Sequence, residues 1–272
     1  MFGFSVYQLL WYFFIYAVLG WCVEVIFCTA TTGQWVNRGF LNGPLCPIYG
    51  FGMVIVLLCL IPLQGSLPLL FLGSFLLTSA LELVTGFVLK KAFHTTWWDY
   101  SDQPFNLGGY VCLGFSLAWG LGGMAAVRLL HPPVAKFVAF LPRPVGWTLL
   151  GVFGLAFLID LAATLTTLIG LERDLRELER IAAALRRGSD AISRNLSDAA
   201  LAADEKLEEG RDALPAKLAE LEVRRDFLRA KLVDSRLFGA GRLMRAFPAM
   251  QNLKHSDALA ELKAEFKARL PR

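Results

Sequence analysis

Apolar residues fill five long stretches in the first 169 residues, and each stretch is about as long as a membrane-crossing helix. A helix needs roughly 20 mainly apolar residues to span the hydrocarbon core of a bilayer. With short breaks allowed, the stretches cover about 5–28, 45–63, 66–89, 108–130 and 146–169. The second is the weakest because prolines stand at both of its ends. The pattern predicts an all-α, polytopic membrane helix bundle with about five transmembrane helices.

The pattern changes after residue 169, where leucines recur at the spacing of a heptad. This 4-3-4-3 spacing is typical of helices that pack in a coiled coil, and it is formed by Leu171, Leu175, Leu178, Ala182 and Leu185. Gly188 and Ser189 then predict a break in the helix. We expect residues 170–272 to form a soluble tail of two or three helices, arranged as an antiparallel hairpin or a small coiled coil.

The charged residues divide the chain in the same place. Residues 1–169 hold six basic and five acidic residues, whereas the remaining 103 hold 21 and 18. Such a division excludes a single soluble globule and a disordered chain. The same division excludes a disulfide-stapled secreted domain, and the five cysteines, which have no C-x-x-C spacing, indicate no zinc or redox site. A net charge of +4, with basic and acidic groups interspersed, gives no sign of a nucleic-acid partner.

The distribution of Lys and Arg predicts the orientation in the membrane. Cytoplasmic segments carry an excess of these residues. With the N-terminus outside, eight would lie inside and three outside. We therefore expect the charged tail in the cytoplasm. The first apolar stretch has no basic residues before it and no small-residue cleavage site, so we expect it to be retained rather than removed as a signal peptide.

Three acidic residues, Glu24, Glu82 and Asp160, lie within predicted spans. A charge at the centre of a bilayer costs on the order of 2.5–3.5 kcal/mol, so such groups face a bundle interior, pair, or serve a function. All three lie in the later halves of odd-numbered spans, which run in the same direction. The sequence therefore predicts that they approach one face of the membrane. They are either polar tethers between helices or a substrate, ion or proton site.

The two longest polar loops open on that same face. Residues 29–45 lead into a Gly- and Pro-rich run that forbids a regular helix, so this loop is either a re-entrant segment or a plain turn. Arg38 is the natural counter-ion for Glu24 or for an anionic ligand. Residues 90–107 hold aromatic and polar side chains beside the fourth span. The predicted substrate-binding residues are Glu24, Arg38, Glu82, Asp99, Tyr100, Asn106 and Asp160.

Three functions remain open at this point. The first is a permease that moves a small polar or ionic substrate through a carboxylate-lined cavity open to the cytoplasm. The second is an intramembrane enzyme that acts on a lipid-linked substrate, although no hydrolase motif occurs. The third is a membrane scaffold whose tail binds a cytoplasmic partner. Three histidines give no metal-ligand spacing, and we expect no cofactor.

The motifs around these residues resemble one family of bacterial membrane proteins. The resemblance rests on the string from Asn37 to Gly50, on residues 82–86 and on Trp98-Asp99-Tyr100-Ser101, and more loosely on residues 242–248. These resemble the type IV ABC-transporter family of CmpB-like proteins, although Asn42 stands where we expect an aromatic residue. The resemblance implies a permease component in the bacterial inner membrane. Since the chain has no phosphate-binding loop, transport would need a separate ATPase or an ion gradient. A homo-oligomer is a further alternative.

Overall fold

The structure, a computed structural model, is 79% helical and describes residues 3–201, 213–235 and 239–268. This confirms the predicted all-α class. The described helices are α1 (Val6–Thr32), α2 (Pro47–Leu60), α3 (Leu67–Phe93), α4 (Leu113–Ala125), α5 (His131–Phe140), α6 (Arg143–Leu201), α7 (Ala213–Asp234), α8 (Ala240–Ala246) and α9 (Ser256–Ala268). The two-residue strands are β1 (Thr95–Thr96), β2 (Asn106–Leu107), β3 (Val111–Cys112) and β4 (Gln251–Asn252). Strands β2 and β3 form an antiparallel hairpin, and β1 pairs with β4.

Four helical segments among the described residues are long and apolar enough to cross a membrane. They are Val6–Thr32, Leu67–Phe93, Leu113–Phe140 and Arg143–Ala191. Each overlaps a predicted span. The remaining predicted span, 45–63, is a shorter apolar helix, Pro47–Leu63, because Pro47 lies in its first turn and a 3₁₀ turn containing Pro62 ends it. The third of the four is continuous because a π-helical turn, Ala126–Leu130, joins α4 to α5.

Helix α6 is unbroken at Gly188 and Ser189, so the predicted break there is wrong. A glycine inside a helix costs only about 1 kcal/mol relative to alanine, which packing can offset. The Leu218 side chain packs directly against Gly188 and leaves no room for a Cβ atom. The expected boundary between residues 169 and 170 also falls within α6. The part of the predicted tail at 202–212 lies outside the described residues.

The chain forms two compact units. The first comprises the described residues up to Thr166 together with the later segment Leu243–Gln251. The second comprises the described residues from Thr167 to Arg242 and those from Asn252 onward. The boundary near residue 166 is close to the change in charge along the sequence. The apolar pattern of the sequence does not predict that Leu243–Gln251 belongs to the first unit.

Glycines allow the helices of the first unit to pack at close range. The ring of Tyr49 on α2 fills the position that a Cβ atom of Gly20 would occupy on α1. Helices α3 and α4 approach in the same way, since a Cβ atom at Gly120 of α4 would lie 3.0 Å from the Phe75 side chain of α3. Small residues permit such approach between apolar helices. Helices α1 and α2 therefore form one close pair, and α3 and α4 form another.

The second unit contains an antiparallel pair formed by α6 and α7. Lys231 Nζ lies 2.8 Å from Asp174 Oδ2, and Arg224 Nε donates to Glu177 Oε1 at 2.6 Å. Residues later in α6 thus contact residues earlier in α7. Helix α9 packs on α7, where Arg229 pairs with Glu261.

Replacing Gly20 by alanine should weaken the packing of α1 against α2. The added Cβ atom overlaps the Tyr49 ring, and overpacking of this kind costs about 1–3 kcal/mol. We expect Gly20→Ala to lower the midpoint of thermal unfolding of the detergent-purified protein. The matched control is Gly151→Ala in α6, where no atom lies within 4 Å of the added Cβ, and its midpoint should not fall. Equal midpoints for the two variants would contradict the packing described here.

Candidate functional site

The carboxylate of Glu24, in the later half of α1, has two partners. Tyr49 Oη donates a hydrogen bond of 2.6 Å to Glu24 Oε1, and Arg38 Nε lies 3.3 Å from Glu24 Oε2. The side chain of Glu24 is 23% exposed and that of Arg38 is 31% exposed. The guanidinium of Arg38 also lies over the Phe27 ring, 5.6 Å from its centre. The predicted pairing of Arg38 with Glu24 is therefore present.

The chain between α1 and α2 creates this arrangement by turning sharply. Helix α1 ends at Gly33, whose φ of 69° is a left-handed conformation that glycine adopts at little cost. The backbone N–H of Cys46 then donates to the carbonyl of Ala17 at 3.0 Å, which brings the start of α2 alongside α1. Gly20 and Glu24 are four residues apart on one helix face. Tyr49 can therefore pack on Gly20 and still reach Glu24.

The second carboxylate, Glu82 on α3, lies against residues of the next loop and of α4. Tyr100 Oη donates to Glu82 Oε1 at 3.3 Å, and the Trp119 indole lies beside the same carboxylate. Among the described residues, the buried Glu82 Oε2 has no hydrogen-bond partner. The Tyr100 ring stacks on Phe115 with centroids 4.8 Å apart. Burial, together with the negative charge of Glu82, raises the pKa of Tyr100 above its ordinary value. Tyr100 therefore remains a protonated donor at neutral pH.

The side chains around Glu24 contact the side chains around Glu82. The rings of Tyr49 and Trp119 meet edge to face with centroids 5.7 Å apart, which joins the partner of one carboxylate to the partner of the other. We define the polar cluster as these six residues: Glu24, Arg38, Tyr49, Glu82, Tyr100 and Trp119. It contains two carboxylates and one guanidinium.

Asp160 on α6 has a different environment, in which it holds the first loop. Its Oδ1 accepts from the backbone N–H and the side-chain amide of Asn42, at 3.0 and 2.8 Å. Its Oδ2 accepts from the backbone N–H of Gly43 at 2.7 Å. Thr164, one turn later, adds a contact of 3.4 Å to Oδ1. The carboxylate thus satisfies backbone donors that the irregular loop leaves without helical partners.

Asp99 and Asn106 hold the second loop rather than joining the polar cluster. Asp99 Oδ1 accepts from the hydroxyl and the backbone N–H of Ser101, which hold the pKa of Asp99 below its ordinary value. The Asn106 amide donates to the carbonyls of Ser101 and Gln103, at 3.0 and 2.8 Å. Gly109, at a φ of 74°, donates to Asn106 Oδ1. These bonds fix the loop that carries Tyr100.

The polar cluster therefore contains four of the seven predicted site residues: Glu24, Arg38, Glu82 and Tyr100. The other three stabilise the loops beside it. Sequence reasoning missed Tyr49 and Trp119. Tyr49 lies in the string from Asn37 to Gly50. Because Glu24 needs a hydrogen-bond donor, this tyrosine could have been predicted as its partner. Trp119 has no such signal, because an aromatic residue in an apolar helix is usually part of the packing. In the described ranges, no group of three or more His, Cys, Asp or Glu residues could hold a metal ion.

Comparison with known proteins identifies the family. The family model described as "Putative ABC-transporter type IV" matches residues 11–165, more than half of the chain, and the chain belongs to this family. The matched region includes all six residues of the polar cluster and also Asp160. The family and the four apolar helical segments point to a membrane protein. No solved structure matches the chain.

Replacing Asp160 by asparagine should loosen the first loop. Hydrogen bonds to a charged group contribute about 1.5–3 kcal/mol, and the asparagine amide would present a donor to the N–H of Asn42 or of Gly43. We expect Asp160→Asn to speed amide hydrogen exchange in a peptide covering residues 37–46 by roughly tenfold or more. The control is Asp102→Asn in the second loop, at an exposed position. Unchanged exchange in Asp160→Asn would show that the carboxylate does not hold the loop.

Proposed function

We propose that this family member is a permease component that binds a small, positively charged substrate at the polar cluster. The observation that carries the proposal is the meeting of Glu24 and Glu82, from two separate apolar helices, around hydrogen-bond donors and one arginine. A carboxylate within an apolar helix is costly, and such groups commonly mark substrate or ion pathways. Here two of them, each with a tyrosine donor, are joined through the contact between the rings of Tyr49 and Trp119.

The charge of the cluster supports a cationic substrate. With both carboxylates ionised, the two negative charges of Glu24 and Glu82 exceed the one positive charge of Arg38. A bound cation would balance the difference and lower the repulsion between the carboxylates. The rings of Tyr49, Tyr100 and Trp119 add faces that attract cations. A proton is the smallest ligand that meets the same requirement.

The proposed topology places the cluster near the cytoplasmic surface of a bacterial inner membrane. Helix α2 and its final turn total 17 residues, the lower limit for a span. If this segment crosses the bilayer, α1 and α3 run in the same direction and the chain has five spans. The excess of Lys and Arg then favours an outer N-terminus and a cytoplasmic tail. The close pairing of α1 with α2 supports this crossing.

Energy for transport would come from outside the chain. The sequence has no phosphate-binding loop, so we propose either a separate ATPase or an ion gradient. The charged helices of the second unit are the proposed docking element for such a partner. Their α6–α7 pair keeps many arginine and glutamate side chains exposed, and these can form contacts with another protein.

Replacing Glu82 by glutamine should weaken the binding of a cation while leaving the protein folded. Glutamine keeps the size of the side chain and removes its charge. We expect saturable binding of radiolabelled tetramethylammonium or choline to the detergent-purified full chain. We expect Glu82→Gln to weaken this binding at least tenfold, which corresponds to about 1.4 kcal/mol.

The matched control is Glu220→Gln in α7, where the same change is made at an exposed position. It should bind the probes as the unmodified protein does. The proposal is wrong if Glu82→Gln binds both probes with unchanged affinity. It is also wrong if the unmodified protein binds neither probe and takes up no proton as the pH is lowered through the titration of carboxylates.

A further inference from the structure

The segment Leu243–Gln251, far along the chain from the helices of the first unit, packs as part of that unit. Four of its apolar side chains, those of Leu243, Met244, Ala246 and Met250, are at most 3% exposed, and Phe247 is half-buried. The backbone is ordered by local bonds, since the N–H of Phe247 donates to the carbonyl of Leu243 and that of Met250 to the carbonyl of Phe247. The segment is therefore a docked element rather than a passing connection.

Phe247 contacts the second loop through Trp97. The two rings meet edge to face with centroids 4.9 Å apart. The Trp97 ring also contacts the ring of Phe40 in the first loop, with centroids 5.4 Å apart. Trp97 is 4% exposed, although its loop is otherwise largely accessible. The indole of Trp97 thus contacts both the first loop and the segment Leu243–Gln251.

Ring packing, rather than hydrogen bonding, holds this indole in place. In the part of the chain that the structure describes, the buried N–H of Trp97 has no hydrogen-bond partner. Leaving such a donor unsatisfied costs about 1–3 kcal/mol. The neighbouring polar contact, from Thr96 Oγ1 to the carbonyl of Gln251, is long at 3.4 Å. The backbone before Trp97 is also held by the pairing of β1 with β4, whereas the indole itself depends on its aromatic neighbours, one of which is Phe247.

A short path leads from Trp97 to the polar cluster. The next residue, Trp98, donates from its indole to the carbonyl of Tyr110 at 2.8 Å. The N–H of Tyr100 then donates to the carbonyl of Gly109 at 2.9 Å, and its hydroxyl reaches Glu82. Tyr100, the donor to Glu82, thus comes only three positions after Trp97, which contacts Phe247. A displacement of Trp97 would move Tyr100 within this small loop.

We propose that the segment Leu243–Gln251 is a strap that completes the binding site, with Phe247 as a positioning residue that acts through Trp97 on Tyr100. The inference rests on the proposed function in treating the polar cluster as a binding site, whereas the docking of the strap is testable without any ligand. Both ends of the strap continue into residues of the second unit.

The test is amide hydrogen exchange of the full chain in detergent micelles, with Phe247→Ala compared with Phe227→Ala. Phe227 is 68% exposed on α7, so its removal controls for the loss of an aromatic ring. We expect Phe247→Ala to speed exchange of residues 97–101 roughly tenfold, with little change in α1 and α3. Phe247→Tyr, which keeps the ring, should restore the original rate. Unchanged exchange of residues 97–101 in Phe247→Ala, or the same increase in Phe247→Tyr, would overturn the proposal.

A cysteine pair keeps the test valid if Phe247→Ala destabilises the whole protein. Thr96→Cys and Gln251→Cys are added to Phe247→Ala in a background whose five native cysteines are replaced by serine. Oxidation should fasten the strap and return residues 97–101 to slow exchange, and reduction should reverse this. If the oxidised protein remains as unprotected as the reduced one, the strap does not order the loop. Binding of labelled tetramethylammonium is measured on the same samples, so that a failure of the proposed function is seen separately.

Discussion

The cost of placing a carboxylate among apolar helices determines how the first unit is built. An ionised group removed from water must be given hydrogen-bond donors, a counter-charge, or both. The three carboxylates in question differ in what they receive: Glu24 has an arginine and a tyrosine, and Asp160 has backbone amides of a loop. Glu82 has a tyrosine at Oε1, while its buried Oε2 has no partner among the described residues. The loops supply several of these partners: Arg38, Tyr100 and the backbone N–H groups of Asn42 and Gly43.

The same requirement explains why glycine and aromatic residues lie beside the acidic ones. Tyr49 reaches Glu24 because Gly20, one helical turn earlier, leaves room for its ring. Tyr100 reaches Glu82 because the second loop is closed by Asn106 and by a left-handed glycine at 109. Backbone geometry and charge compensation are thus coupled: a change that closes the space at Gly20 also removes a donor from Glu24.

The sequence was sufficient to predict the all-α class and four of the five apolar helices, because these follow from apolar length. The approach of Glu24 and Glu82 to one membrane face depends on the parity of five spans, and it stays a prediction. The sequence could not show that Asp160 has a different environment from Glu24 and Glu82. The position along a helix can be read from the sequence, but the rotation of the helix about its axis depends on contacts. The return of Leu243–Gln251 was also unpredictable, since its partner Trp97 is about 150 residues away. The helix break predicted at Gly188 was wrong because the packing of Leu218 outweighs the poor helix propensity of glycine.

The central claim is that Glu24 and Glu82 share one site, and a double-mutant cycle tests it most directly. The free energy of unfolding in detergent is measured for Glu24→Gln, Glu82→Gln and the double variant, with Glu82→Gln plus Glu220→Gln as the reference pair. If the carboxylates repel, removing one charge changes the effect of removing the other, and we predict a coupling of at least about 0.5 kcal/mol. The reference pair should be additive. Additive effects for Glu24 and Glu82 would contradict the shared site.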